Sequence, residues 1–422
     1  MTPAAITEVA DHRLLDRVLE RGRVRSVYQP IIDLASGQVA AYEALARGPE
    51  GSALESPGAL FASARVAGRV TELEWACRAA ALQGALDANL GAQVSLFINC
   101  EPSVVGTHVP THVNKLFRAA ERKLRIVLEL TERDLTRRPA DLLRLVAWAR
   151  ERWWGVALDD VGAEPESLAL LPFIEPDVIK LDMRLIQEEL TAEDEMVVAA
   201  VADHARRTGA TVLAEGIETD EHLERAISLG ACLGQGWRFG RPAPLNELPR
   251  SRAAVRLLEP PDRKLDRSPF DVVSDDYEIE HVPSAHLLAE TRRLAASASH
   301  QPAGAVALAS FGDAERFAEL APEFERLGQH CIFTGVLGAG MQADSATPYR
   351  SNPLSAGDVL TREWVMVVLG PSVAEAIVAR NLGPDPRSLP PMVEFVSTDD
   401  REIVTGLAQQ LMGRVVPAGR RR

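Results

Sequence analysis

Seven polar residues each close a short apolar run in the first 250 residues: Glu43, Asn99, Glu129, Asp159, Lys180, Glu215 and Gln235. Asp160 follows Asp159 directly. If these runs are strands that converge on one rim, five carboxylates, two amides and a lysine face a single cavity. Two like charges ~4 Å apart repel by roughly 4 kcal/mol at an effective dielectric near 20. Such a group of acids cannot all stay ionised without countercharge. Carboxylate and amide oxygens are hard ligands that suit Mg²⁺ or Mn²⁺. The adjacent pair Asp159-Asp160 suggests two ions, one acid bridging while its neighbour reaches the second. That layout serves in-line displacement at phosphorus.

The elements that must position these residues form a repeating unit. Strands are predicted at Val24–Ile32, Gln38–Ala46, Gln93–Asn99, Arg125–Leu130, Gly155–Asp159, Asp177–Leu181, Thr211–Glu215 and Ala231–Gln235. Helical patterns fall between most of them, at Thr71–Ala88, Val109–Glu121, Pro139–Arg152, Asp194–Thr208 and Glu221–Leu229. Alternating β and α segments imply a parallel sheet. Eight strands in roughly 250 residues match a (β/α)8 barrel, whose sites lie at the C-terminal ends of the strands. Only Asp33-Leu34-Ala35-Ser36-Gly37 joins the first two strands. A parallel crossover needs about a dozen residues, so this pair is an antiparallel hairpin. The expectation is an α/β chain: a modified TIM barrel with one reversed strand over 1–250, then a smaller α/β domain.

Arg241-Pro242-Ala243-Pro244 and Glu259-Pro260-Pro261-Asp262 bracket a short helical segment, which places a linker at 251–267. The second domain spans 268–414. Its strands are predicted at Ala305–Phe311, Cys331–Val336, Trp364–Leu369 and Val393–Ser397, and its helices at Asp313–Leu327, Ser372–Arg380 and Asp400–Met412. Ala339–Gly357 reads as a long loop and 415–422 as a basic tail.

The chain has 60 Asp+Glu against 46 Lys+Arg, a net charge of −14. This excludes broad binding to nucleic-acid polymers, which needs clustered cations. No apolar run reaches the ~18 residues of a spanning helix. Four scattered cysteines without a CxxC pair read as reduced, mostly buried thiols, and the expected location is the cytoplasm. The histidines have no metal-ligand spacing. Trp153 and Trp154 are read as packing residues, and Glu193-Asp194-Glu195 as a solvated helix start.

The first 250 residues also resemble a known family in register. Tyr28-Gln29-Pro30-Ile31 and Glu43-Ala44-Leu45-Ala46-Arg47 are similar to the opening motifs of the EAL domain of cyclic di-GMP phosphodiesterases. Phe97-Ile98-Asn99, Glu129-Leu130-Thr131-Glu132, Leu158-Asp159-Asp160-Val161-Gly162, Val178-Ile179-Lys180-Leu181-Asp182, Ala214-Glu215-Gly216-Ile217-Glu218 and Gly234-Gln235-Gly236-Trp237 resemble its later motifs. The resemblance implies hydrolysis of cyclic di-GMP to linear pGpG with two Mg²⁺ or Mn²⁺ ions, in a homodimer. It implies that Glu43, Asn99, Glu129, Asp159, Asp160 and Glu215 hold metal, and that Lys180 acts on the attacking water as base or electrostatic partner. It implies substrate contacts for Arg47, Gln29 and Gln235, and supporting roles for Glu132 and Asp182.

Two stretches depart from the family pattern. After Gly162 the chain reads Ala163-Glu164-Pro165-Glu166-Ser167, stiffer and more acidic than the usual small residues. In the family this loop couples dimer contacts to the metal site. Trp237-Arg238-Phe239-Gly240 also differs. The second domain, from Phe270-Asp271-Val272-Val273-Ser274-Asp275 onward, resembles the DICT domain, a sensory module whose signal is unknown. An EAL-type receptor that binds cyclic di-GMP without turning it over is the competing reading. A complete ligand set favours the enzyme.

Overall fold

The computed structural model describes residues 14–19, 23–101, 104, 107–131, 139–163, 168, 171–249, 254–258, 267–301, 304–344, 348–381 and 392–415. Eight strands close a barrel: β1 Arg25–Asp33, β2 Val39–Arg47, β3 Ser95–Asn99, β4 Arg125–Thr131, β5 Gly155–Val161, β6 Val178–Leu181, β7 Thr211–Ala214 and β8 Leu233–Gln235. Strand β1 runs antiparallel to both β2 and β8, while β2 through β8 are parallel. The reversal starts in the β1–β2 turn. Asp33 Oδ1 accepts from Ser36 N at 2.8 Å and Ser36 Oγ at 2.7 Å, and Gly37 takes the left-handed φ of 69° that closes the turn. Because β1 is reversed, Gln29 pairs directly with Glu43 across the sheet.

Inside the barrel lies an apolar layer of Ala41, Phe97, Val127, Ala157, Val178, Leu213 and Leu233. Each stands two residues before one of the seven polar strand-end residues. Side chains two apart on a strand share a face. The polar group therefore stands directly on a dry floor. The helices Val70–Asp87, Thr111–Lys123, Pro139–Arg150, Ala192–Thr208 and Asp220–Ser228 fall where the periodicity placed them.

Among the described residues between Pro244 and Glu259, where a short helical segment is expected, a 3-10 turn forms at Leu245–Glu247, while 254–258 carries no helix. Val255 is buried against the apolar layer, and its N–H donates to Ser95 Oγ at 3.2 Å. The N–H of Leu258 donates to the buried carboxylate of Asp177 at 2.5 Å. Ser95 opens β3 and Asp177 immediately precedes β6, so this strap closes the barrel end opposite the acids. Burial of Val255 outweighs any tendency of so short a segment to form an isolated helical turn.

A second sheet has seven strands in the order β12-β11-β10-β13-β14-β15-β9. They are β9 Glu280–Pro283, β10 Val306–Asp313, β11 Phe333–Ala339, β12 Arg350–Pro353, β13 Glu363–Leu369, β14 Ala374–Asn381 and β15 Met392–Thr398. Three expectations need correction. Ser372–Arg380 was expected to be helical, yet β14 is an antiparallel strand between β13 and β15. Ala376 and Val378 pack on one face and Ile377 and Ala379 on the other, so no polar alternation betrays the strand. The stretch Ala339–Gly357 is not all loop, since it contains β12. The helix expected over Asp313–Leu327 is broken into Ala314–Ala318 and Ala321–His330, with Pro322 in the first turn of the second. The helix Arg401–Met412 covers one sheet face, and Ser284–Ala298 with Ala321–His330 covers the other.

Smaller readings also shift. Trp154 is buried among Phe117 and Trp148, but Trp153 is 78% exposed at a left-handed φ of 57° and is no packing residue. Asp194 is buried in a capping box with Thr191 and pairs with Arg184, so that helix start is only partly solvated. Cys232 is exposed, unlike the buried Cys100. No helix among the described residues is long and apolar enough to cross a membrane.

Candidate active site

The barrel gathers the strand-end residues around one lysine. Lys180 is fully buried, and its Nζ lies 2.7 Å from Glu129 Oε1, 2.8 Å from Asp159 Oδ1, 2.8 Å from Glu215 Oε1 and 3.8 Å from Glu43 Oε2. Asn99 Nδ2 donates to Glu129 Oε2 at 3.1 Å and to Glu43 Oε1 at 3.4 Å. Gln235 Nε2 donates to Glu43 Oε2 at 2.6 Å and to Gln29 Oε1 at 3.2 Å, and Gln29 Nε2 donates to Gly240 O at 3.2 Å. A chain of amides thus fixes Glu43 from the side. Its anchor, the Gly240 carbonyl, has no signature in residue type and was not foreseen.

Asp159 and Asp160 pose a geometric problem. Neighbours on a regular strand point to opposite faces. Here the β5–β6 register breaks between Leu158 and Val161, and Asp160 adopts a φ of 57°. Asp tolerates this left-handed region better than most residues, and such bulges re-aim side chains beside active sites. Asp159, Asp160 and Glu215 consequently offer carboxylate oxygens that all lie within 4.8 Å of one another.

The electrostatics follow from burial and crowding. Burial raises Glu129 well above the ordinary carboxylate range, with help from Glu43 and Asp159 and against the pull of Lys180. Burial likewise raises Glu215 to about 8, opposed by Lys180 and reinforced by Asp159 and Glu43. For Lys180 burial pulls downward, but Asp159, Glu129, Glu215 and Glu43 outweigh it and hold the ammonium well above its ordinary value. Glu129 Oε1 and Asp159 Oδ1 both lie at ion-pair distance from Lys180 Nζ. Five carboxyl groups share one ammonium, so the acids outnumber the cation within the group. Hard oxygen donors with excess negative charge fit divalent cations.

Two further predicted residues, Arg47 and Asp182, lie among the described residues. Arg47 stands four residues beyond Glu43 on β2, half-buried, and its guanidinium donates to Ala46 O at 2.8 Å. Burial lowers its pKa, against the pull of Glu43 and Glu55. Asp182 caps the short helix Met183–Gln187, accepting from Arg184 N at 2.9 Å, and its own N–H donates to Val161 O at 3.0 Å beside the Asp160 bulge. Glu132 and Glu164–Ser167 lie outside the described residues. Trp237 is 55% exposed, with the Arg241 guanidinium 4.3 Å over its ring. Gly236 admits no side chain, because a Cβ there would lie 2.1 Å from Ile217 O.

Comparison with known proteins adds to this geometry. The cyclic di-GMP phosphodiesterase RocR of Pseudomonas aeruginosa is 30% identical over 247 residues, covering 57% of this chain and 62% of RocR. The probable cyclic di-GMP phosphodiesterase PdeG of Escherichia coli is 28% identical over 236 residues, covering 54% of this chain and 46% of PdeG. The chain thus spans less than two thirds of either relative's own length. The solved EAL enzyme Bd1971 with cAMP and cyclic di-GMP bound shares its fold, with a TM-score of 0.50 and 23% identity, over 58% of this chain and 69% of that one. The EAL domain family model matches residues 12–242, more than half of the sequence, and the chain belongs to the EAL domain family.

Proposed function

We propose that the barrel hydrolyses one phosphodiester of cyclic di-GMP to linear pGpG. The observation that carries this reading is the complete polar set around Lys180 in a chain whose curated relatives include cyclic di-GMP phosphodiesterases. Glu43, Asn99, Glu129, Asp159, Asp160 and Glu215 would hold two divalent ions, Mg²⁺ or Mn²⁺, whose charge would favour the ionised form of these acids. Bound ions of this kind supply charge neutralisation on the phosphate and a more acidic water. The chain's own residues do the rest. Lys180 acts on the attacking water as base or as electrostatic partner of the charge that grows on the phosphate. Glu215 positions the water, and Gln235 with Gln29 keeps Glu43 in its rotamer. Arg47 is placed to bind a substrate phosphate.

The second unit is proposed to regulate the barrel. The helix Arg401–Met412 belongs to the same hydrophobic cluster as the barrel's outer shell, and Gln409 Nε2 donates to Phe173 O at 3.0 Å. Incubating the protein with cyclic di-GMP and Mg²⁺ or Mn²⁺ while following pGpG tests the central claim. Glu43→Ala should lower turnover at least a hundredfold. Tight binding of cyclic di-GMP with no pGpG under either metal would establish the receptor reading instead.

A further inference from the structure

We propose that the cleft between the barrel and the helix Arg401–Met412 is a binding site for a small organic anion with an apolar body. The cleft holds about 830 Å³ and takes its walls from both units. Small-molecule sites typically measure roughly 300–1,000 Å³ and combine an apolar lining with a few convergent polar groups. Here Leu143, Val146 and Phe173 supply apolar wall from the barrel side.

The polar lining is rich in arginine. Arg144, Arg150, Arg207, Arg401 and Arg414 face the cleft, against Glu175 and Glu402. Four of these guanidiniums are matched by carboxylates: Arg144 by Asp141, Arg150 by Asp177, Arg207 by Asp203 and Arg414 by Asp358. Arg401 differs. It donates to Gly370 O at 2.8 Å and Pro371 O at 3.2 Å, two neutral carbonyls. Its direct hydrogen-bond partners are neutral, with Asp203 acting on it only through space, and a guanidinium fork suits a carboxylate, sulfonate or phosphate.

His204 is the second, independent observation. It lines the cleft, is 3% exposed, and neither ring nitrogen has a hydrogen-bond partner. Burial, with Arg207 and Arg401 nearby, keeps this ring neutral at physiological pH against the weaker pull of Asp203. A neutral imidazole has one donor and one acceptor to satisfy, and buried polar groups are nearly always paired. A ligand with an anionic head on Arg401 and a polar atom near His204 would satisfy both while its apolar body meets Phe173.

The cleft is separate from the acid cluster. It reaches Leu258 of the strap and Arg150, both of which bond Asp177, three residues before Lys180 on the chain. An occupant would therefore press on the elements that close the barrel floor.

The test uses 8-anilino-1-naphthalenesulfonate, a fluorescent aromatic sulfonate, titrated into the full chain. One saturable site is expected. Arg401→Gln removes the charge, and Ala147→Trp fills the cleft from an exposed helix position. Each should weaken binding at least tenfold while leaving cooperative unfolding and hydrolysis of cyclic di-GMP as in the parent. Absence of saturable binding, or unchanged affinity in either folded variant, overturns the proposal.

Discussion

Lys180→Met removes the one cation that the described residues place at the centre of the acid cluster. Three carboxylate oxygens lie 2.7–2.8 Å from Nζ. At an effective dielectric near 20, each such contact amounts to about 6 kcal/mol of gross Coulomb attraction. Desolvation of the buried ions offsets most of it. What is measured when one partner of a buried pair is removed is about 3–5 kcal/mol. The orphaned acids can recover part of that loss by taking up protons. Glu215 already titrates at about 8, and losing Lys180 removes its main downward pull. The metal-free variant should therefore be about 3 kcal/mol less stable than the parent at pH ~8, with the deficit shrinking as the pH falls. Divalent ions should narrow the gap, because they replace the lost positive charge. Hydrolysis should still drop at least a hundredfold under saturating metal, a loss of electrostatic catalysis that added metal does not repair. Urea unfolding with and without metal, alongside pGpG formation, measures both effects. Equal metal-free stability at pH ~8, or turnover within threefold of the parent, would refute the placement of Lys180 as the charge hub.

Gln235→Leu removes the bond that orients Glu43, so metal affinity read by calorimetry should fall 10- to 100-fold, as for other residues that orient metal ligands. An unchanged affinity would show that Glu43 needs no such brace. His204 is pushed down from 6.5 to about 4 chiefly by burial. The unfolded chain binds its proton near 6.5 and the folded chain only near 4, so stability is retained above 6.5 and falls by about 3 kcal/mol as the pH drops to 4. The stability difference between the parent and His204→Gln should carry this slope, and a pH-independent difference would refute the burial argument. Val255→Asp places a carboxylate in the apolar floor of the barrel and should cost at least about 3 kcal/mol in urea unfolding. A cost below 1 kcal/mol would mean that the strap does not close the barrel in solution.

Much of the barrel is legible because its signals are local. Each polar strand-end residue follows an apolar run, and the residue two before it is apolar and inward-facing, from Ala41 beneath Glu43 to Leu233 beneath Gln235. The five-residue connection after β1 forces a hairpin whatever surrounds it. Period and loop length are properties of neighbouring residues, so they survive without knowledge of the fold.

Other features depend on what packs where. Strand β14 is apolar on both faces because helices cover both sides of its sheet, and a run of that kind has no period of its own to distinguish strand from helix. The 254–258 segment becomes a strap only because an open barrel end lies beside it. Asp160 reaches the rim through the register break between β5 and β6. The sequence by itself determined which chemical groups reach one rim, Asp160 excepted, because strand periodicity and chain order suffice for that. Only the tertiary structure decided that one buried ammonium binds four acids together, and that two packed units line an arginine-rich cleft beside His204. Charge coupling and burial arise from distances between residues far apart in the chain, which no local pattern records.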